Sequence, residues 1–224
     1  MESALSPFLV ELTKFVDLAS RVVSCLNWKW REGAADLQAA ILRIQNESAE
    51  LNSRLAALVT VDGMIGGTRL YDQINNPEQI SSLLSHFPLF DCPPGQRNFR
   101  SLSRQQRQEF LRLHWQELAR VPAYSLTTIS TLEETSRVLQ PSWQQLSVYG
   151  FDEDSQMAQQ EQIAPGAIYL GTARADHRAV ALPLERDPSL RELANKNQFP
   201  RAAMLEALLL FVVADLNTRS EYSK

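Results

Sequence analysis

The sequence predicts a mainly α-helical fold: an N-terminal antiparallel helical hairpin, central short helices, and a small C-terminal β-hairpin followed by an apolar helix. Three observations predict it. Glycine is scarce, with 8 among 224 residues, which favours helices over turn-rich sheets. Apolar residues recur every three or four positions from Phe8 to Leu58, which is the period of an amphipathic helix. Two short apolar runs near the C-terminus flank a turn, as paired strands do.

The N-terminal hairpin, assigned to residues 1–62, is predicted from two apolar stripes with the same spacing. Gly33 separates the stripes, in the position of a helix-ending glycine. Each stripe is the other's nearest apolar partner, so we expect the helices to pair within the chain rather than as a coiled coil with a second chain. The stripes are Phe8, Leu12, Phe15, Ala19, Val22 and Leu26, then Leu37, Ile41, Ile44, Leu51, Leu55 and Leu58.

Residues 63–150 are predicted to be a central helical region. Ser103 with Gln106 has the form of a capping box and begins a helix that runs to about Arg120. Thr131 with Glu134 has the same form, and Pro141 is expected to end or kink the helix that follows. The segment "VDGMIGGTRLYD" lacks the lysine of a phosphate-binding loop and follows no predicted strand, so we expect a flexible connection.

The C-terminal third divides into two parts. Residues 151–166 are acidic and rich in glutamine, which indicates a linker or mobile loop. Residues 167–224 are predicted to form a β-hairpin from "AIYLGT" and "RAVALPL", then C-terminal helices, the last beginning at Pro200. This region either packs with the rest as one domain or stands apart from it. The last helix is apolar around most of its circumference, so we expect it to be buried centrally or at an interface.

Charge and hydropathy favour a cytoplasmic protein without a membrane span. The formal net charge of −4 gives no general attraction to nucleic acid or anionic membranes. No basic region precedes an apolar run at the N-terminus, so no signal peptide is predicted. The longest apolar segment is shorter than the ~20 residues that a spanning helix needs. Cys25 and Cys92 are expected to be reduced thiols, and one disulfide between them is the alternative.

No catalytic residue, cofactor or metal ligand is predicted. The sequence contains no Gly-x-Ser-x-Gly, His-Glu-x-x-His or Cys-x-x-Cys motif. His177 lies in a predicted turn and is expected to be exposed. Asp152, Glu153 and Asp154 lack the glycine and the distal glutamate of a calcium loop. The chain is therefore predicted not to be an enzyme, and an enzyme with an unrecognised site is kept as an alternative.

One basic segment is a candidate for binding nucleic acid or an acidic protein. Its arginines are Arg97, Arg100, Arg104, Arg107 and Arg112. Such a cluster can bind phosphates. An exposed helix face that pairs with the protein's own acidic residues is the favoured interpretation.

The leading functional hypothesis is a non-enzymatic helical interaction or scaffold subunit of an intracellular protein complex. Another protein subunit is then the expected partner, nucleic acid is the alternative, and homo-oligomerisation through the last helix is left open. Exposed tryptophans and an apolar helix face are typical of such interfaces. The interface candidates are Trp28, Trp30, Leu209, Phe211 and Val212.

Overall fold

The computed structural model describes residues 33–72, 99–180 and 199–222. Within them lies a three-stranded sheet in the order β1-β2-β3. Both neighbouring pairs of strands are parallel. The predicted mainly α fold is therefore wrong, and the chain has an α/β architecture. The strands are β1 (Leu58–Val61), β2 (Ala123–Ile129) and β3 (Ile168–Arg174).

Helices connect the parallel strands, because such strands cannot be joined by a tight turn. In the described residues α3 and α4 lie between β1 and β2, and α5 lies between β2 and β3. The helices are α1 (Gly33–Glu47), α2 (Ala49–Arg54), α3 (Arg69–Asp72), α4 (Arg104–Leu118), α5 (Gln140–Ser147) and α6 (Arg201–Tyr222). Short 3-10 turns span Phe99–Leu102, Arg137–Leu139 and Gln159–Gln162.

Helices cover both faces of the sheet. On one face, Ala123 of β2 belongs to a buried cluster with Ile41 of α1 and Leu118 of α4. The next residue, Tyr124, contacts Phe211 of α6 edge to face, with ring centroids 6.3 Å apart. Adjacent residues of a strand point to opposite faces. The arrangement is therefore that of a buried parallel sheet.

The predicted helical hairpin is not formed as expected. Its first stripe lies outside the described residues. Its second stripe is divided, because the Ser48 side chain accepts the Leu51 N–H and begins a new helix that ends at Arg54. Leu51 is 51% exposed, so the stripe is no continuous seam. The β-branched residues in the run 59–61 favour the strand that follows.

The capping predictions have mixed outcomes. Ser103 accepts the Gln106 N–H and begins α4, which confirms the prediction. Thr131 and Glu134 form both bonds of a capping box, at 3.1 and 3.4 Å, but these close a turn. Pro141 lies in the first turn of α5. It begins a helix rather than ending one, because the missing N–H has no helical acceptor there.

The predicted β-hairpin is also wrong. The run "AIYLGT" supplies β3, but β3 pairs in parallel with β2. The run "RAVALPL" begins in a turn, and its residues after Val180 lie outside the described part. The last helix is confirmed and runs from Arg201 to Tyr222. No helix of the described residues is long and apolar enough to cross a membrane.

Candidate active site at the carboxyl end of the sheet

Two aspartates and a histidine meet at the carboxyl end of the sheet. Asp62 follows β1 directly, Asp154 lies between β2 and β3, and His177 follows β3. His177 Nδ1 lies 2.8 Å from Asp62 Oδ2 and 3.1 Å from Asp154 Oδ2. All three residues are buried, and His177 is the most exposed, at 9%. Carboxyl ends of parallel strands are the usual place for sites in open α/β sheets.

Asp62 leaves β1 in a sharp turn. Its N–H donates to Leu126 O at 2.9 Å, which extends the pairing of β1 with β2 by one residue. Its φ is then +54°, a left-handed conformation that aspartate and asparagine tolerate better than most residues. Gly63 follows, and a Cβ there would lie 3.0 Å from the Ala34 Cβ of α1. The turn therefore packs against the start of α1.

The glycine-containing segment 62–67 is a packed loop, not the flexible connection that the sequence predicted, and a strand precedes it. The N–H groups of Ile65 and Gly66 donate to Glu161 O, at 3.2 and 2.7 Å. Arg107 Nε donates to Ile65 O at 2.9 Å. The missed strand has only four residues, and its first leucine continues the helical spacing before it.

Gly67 ends this loop with φ +86°. A Cβ at this position would lie 2.8 Å from the backbone of Arg104, at the start of α4. Only a residue without a side chain fits so close to another backbone. The loop that begins at Asp62 is therefore fixed by contact with α4.

Asp154 lies in a nest of hydrogen-bond donors. Its Oδ1 accepts the backbone N–H groups of Gln156 and Met157, both at 2.8 Å. Its Oδ2 accepts from Thr128 Oγ1 and Gln162 Nε2, both at 3.3 Å. Residues 153–158 are all buried, although their composition predicted a linker or mobile loop. The carboxylate organises this segment, because it supplies the acceptors that the backbone turn needs.

The three groups shift one another's pKa values. Burial opposes ionisation of Asp154, but hydrogen bonds from Asp62, His177 and the Met157 N–H, with the His177 charge, lower its pKa. Burial, and next the Asp154 charge, raise the pKa of Asp62 well above its usual value. Burial also opposes the charged form of His177, but the two carboxylates outweigh it and raise its pKa to about 10. The imidazolium is thus stabilised at neutral pH.

The turn that carries His177 is held by its neighbour Asp176. Asp176 Oδ2 accepts from the N–H and the Oγ of Ser136, at 2.7 and 2.5 Å. Its Oδ1 accepts the N–H groups of Arg178 and Ala179, both at 2.9 Å. The sequence prediction of an exposed His177 is therefore wrong, because these bonds fold the turn back onto the protein.

The same three side chains could also hold a cation. One ligand atom from each of Asp62, Asp154 and His177 lies within 4.8 Å of the other two. Both distances from His177 Nδ1 are those of ion pairs, and the contact with Asp154 is a hydrogen bond. These contacts account for the geometry, so we assign no metal ligand.

The arginines singled out in the sequence do not form one exposed patch in the described residues. Arg107 is 5% exposed and contacts Ile65 O and Gln38 Oε1. Arg104 pairs with Glu161, and Arg112 pairs with Glu109 at 2.7 Å on the surface. The Arg100 side chain and Arg97 lie outside the described residues. Phosphate binding by this segment stays a prediction.

The interface candidates are also divided. Trp28 and Trp30 lie outside the described residues. On α6, Val212 is buried at 6% exposure, Leu209 is half-buried, and Phe211 is 47% exposed. Val212 therefore faces the protein's own core.

Comparisons with known proteins place this geometry in context. No protein-family model and no curated protein matches the sequence. Among solved structures, a metagenomic carboxyl esterase is similar to 82% of this chain, with 35% sequence identity and a TM-score of 0.69. The chain spans about half of that esterase, since 54% of it is covered. A Bacillus licheniformis lipase in mature form aligns over 66% of each chain, with 15% identity and a TM-score of 0.42.

The similarity to the esterase corrects the functional predictions. It supports an α/β fold of the hydrolase type and points to an enzyme. The prediction of a non-enzymatic helical interaction or scaffold subunit is therefore wrong. The alternative of an enzyme with an unrecognised site is the one that the similarity favours.

Sequence reasoning missed all three site residues, because each lies in a different loop. A usable signal was present. Asp62 follows the β-branched run "VTV", and His177 follows the strand that was predicted from "AIYLGT". Polar residues at the carboxyl ends of successive parallel strands meet at one edge. That signal needed the strands to be predicted as parallel.

Proposed function

We propose that this chain carries the acid–base part of an ester hydrolase. The observation that supports the proposal most is the buried His177–Asp154 pair, with 3.1 Å between Nδ1 and Oδ2. It lies at the carboxyl end of a parallel sheet, in a chain 35% identical to a carboxyl esterase. The order along the chain, acid before histidine, is that of α/β hydrolases. The cytoplasmic location and the partners stay predictions from the sequence.

In this proposal His177 is the general base and Asp154 is its positioning residue. Asp154 holds the Nδ1–H, so Nε2 is the atom that accepts a proton. His177 takes that proton from the hydroxyl group, of a side chain or of water, that attacks the ester carbonyl, and gives it to the departing alkoxide, which leaves as the alcohol. If the attacking group is a side chain, the ester formed on it is split by water in the same way, so the final products are a carboxylic acid and an alcohol. The positive charge on the ring between the two steps is stabilised by the carboxylate.

The proposal assigns no serine nucleophile. The sequence contains no Gly-x-Ser-x-Gly motif. Among the described residues, His177 hydrogen-bonds the Asp154 carboxylate through Nδ1 and the Asp154 carbonyl through its backbone N–H, and it forms an ion pair with Asp62. The assignment is therefore limited to the base and its carboxylate.

Hydrolysis of p-nitrophenyl acetate by the purified chain tests the proposal. We expect His177→Gln to lower the rate by roughly 10²–10⁴-fold, the usual contribution of a general base. The matched control is His114→Gln, because His114 pairs with Glu117 on an exposed helix face, at 3.3 Å. Hydrolysis that is absent, or equal in the chain and its His177→Gln variant, would overturn the proposal.

The pH dependence gives a second measurement. Only neutral imidazole can act as a base, and the pKa of His177 is raised to about 10. The rate is therefore expected to rise with pH from neutral towards about pH 10 and then to level off. A profile that levels off near the ordinary histidine pKa, about 6.5, would contradict the assigned environment of His177.

A further inference from the structure

We propose that Asp62 is a second acid for His177, an ion-pair partner of the same Nδ1 that donates its hydrogen to Asp154. The inference rests on the proposed function for the role of His177 as a base. It adds a positioning residue, because two carboxyl groups at the carboxyl end of the sheet then orient one imidazole.

The two carboxyl groups make different contacts with the same ring nitrogen: Asp154 accepts a hydrogen bond, and Asp62 is an ion-pair partner. His177 Nδ1 lies 2.8 Å from Asp62 Oδ2 and 3.1 Å from Asp154 Oδ2. Both contacts are made to the same ring nitrogen. The side chains of Asp62 and Asp154 are 2% and 0% exposed, so water does not replace either contact.

Asp62 has no evident structural reason to carry a carboxylate. Neither of its oxygens accepts a hydrogen bond of regular geometry, although Oδ2 is within ion-pair distance of His177. Its backbone adopts a left-handed φ of +54°, a conformation that costs free energy in residues other than glycine. A buried charge without a partner is strongly unfavourable. When Asp62 is ionised, the imidazolium of His177 is the partner that compensates for its charge.

Other ionisable groups near the cluster are engaged elsewhere. Glu153 Oε2 accepts the Ser155 N–H, and Asp176 accepts from Ser136 and from the turn after His177. Arg178 follows His177 and is buried. Asp62 and Asp154 are thus the carboxylates in contact with the ring, and the three groups titrate as a coupled set.

The test is Asp62→Asn, read by NMR titration of the His177 ring in the ¹⁵N-labelled full chain. Asparagine tolerates the left-handed backbone and removes the ionisable carboxyl group without changing the shape. We expect the His177 pKa to fall by roughly one unit or more, as when an opposite charge at this distance is lost. The pH–rate profile should move the same way, giving about tenfold more hydrolysis at pH 7 for each unit.

The double variant with Asp62→Asn and Asp154→Asn sharpens the test. If either carboxylate can hold the ring, each single variant keeps the Nδ1–H tautomer and the double variant loses it. Asp152→Asn is the matched control, because Asp152 is exposed and lies on the same segment as Asp154. It should leave the His177 pKa unchanged. Circular dichroism confirms folding, and Asp62→Gly, which also fits the positive φ, replaces Asp62→Asn if that variant unfolds.

The outcomes separate this inference from the proposed function. A His177 pKa that is the same in Asp62→Asn and in the unmodified chain overturns the inference. Asp62 would then be protonated and would donate a hydrogen bond to the Asp154 carboxylate, a role that the asparagine amide of the variant can also fill. A lowered pKa in a chain that hydrolyses no ester supports the second acid and contradicts the hydrolase. If Asp62→Asn hydrolyses the ester with an unchanged pH profile, the hydrolase is supported and the second acid is contradicted.

Discussion

Two loops bring an aspartate to the same imidazole, and they do so in opposite ways. The loop of Asp154 surrounds its carboxylate with two backbone N–H groups, a threonine hydroxyl and a glutamine amide. The loop of Asp62 supplies no such donor and is fixed instead by its backbone, through Leu126 and Glu161. Protein donors therefore surround the Asp154 carboxylate, whereas the contact of the Asp62 carboxyl group is the ion pair with His177.

This difference shows how one residue type acquires two properties. Donors lower the pKa of Asp154, whereas burial without donors raises that of Asp62. The charged form of Asp154 is therefore favoured, in part by His177 itself, whereas the charged form of Asp62 is disfavoured. Two carboxyl groups with opposite tendencies thus lie beside the same base.

The largest expected effect comes from Asp154→Asn. The asparagine NH2 group would face hydrogen-bond donors in place of one carboxylate oxygen. Either His177 or the N–H groups of Gln156 and Met157 would then lose an acceptor. We expect a loss of about 3–5 kcal/mol in the free energy of unfolding, as when one partner of a buried pair is removed. Urea denaturation measures it. Asp152→Asn, on the exposed part of the same segment, should change the value by less than about 0.5 kcal/mol.

A smaller effect is expected when the anchor of the Asp62 loop is removed. Arg107→Met leaves Ile65 O and Gln38 Oε1 without their buried donor, which should cost about 1–3 kcal/mol of unfolding free energy. The control is Arg112→Gln, since Arg112 makes only an exposed pair with Glu109, worth about 0–1 kcal/mol. Equal losses in the two variants would show that Arg107 does not anchor the loop.

The smallest effect should come from one donor to Asp154. Thr128→Val keeps the shape and removes the hydroxyl that lies 3.3 Å from Asp154 Oδ2. We expect a loss of about 1 kcal/mol in unfolding free energy, the net value of one hydrogen bond. Thr218→Val, on the exposed face of α6, is the control. A gain in unfolding free energy for Thr128→Val would show that the Thr128 hydroxyl does not stabilise the Asp154 carboxylate.

Much of the helical structure could be predicted from the sequence, and the sheet could not. The Ser103 cap and the last helix were predictable because each depends on neighbouring residues. The parallel pairing of Leu58 with Ala123 depends on residues far apart in the chain. The strand at 58–61 is also short, and Leu58 fits the helical spacing of the preceding apolar residues, so local periodicity assigned it to a helix.

The candidate site was beyond local reasoning for the same cause. Asp154 and His177 are 23 positions apart, and no motif joins them to Asp62. The acidic, glutamine-rich composition around Asp154 predicted a mobile loop, because composition does not show which polar groups bond one another. Gln162 illustrates this, since it is 0% exposed and bonds both Thr128 and Asp154.

The close approach at Gly67 has a mechanical consequence. The Asp62 loop can approach helix α4 this closely because Gly67 has no side chain. A Cβ at that position would lie 2.8 Å from the Arg104 backbone. The same helix carries Arg107, which donates to Ile65 O in the middle of the loop. Two contacts with α4 therefore fix the loop that follows Asp62, so a substitution in α4 can change the position of a carboxyl group that lies outside that helix.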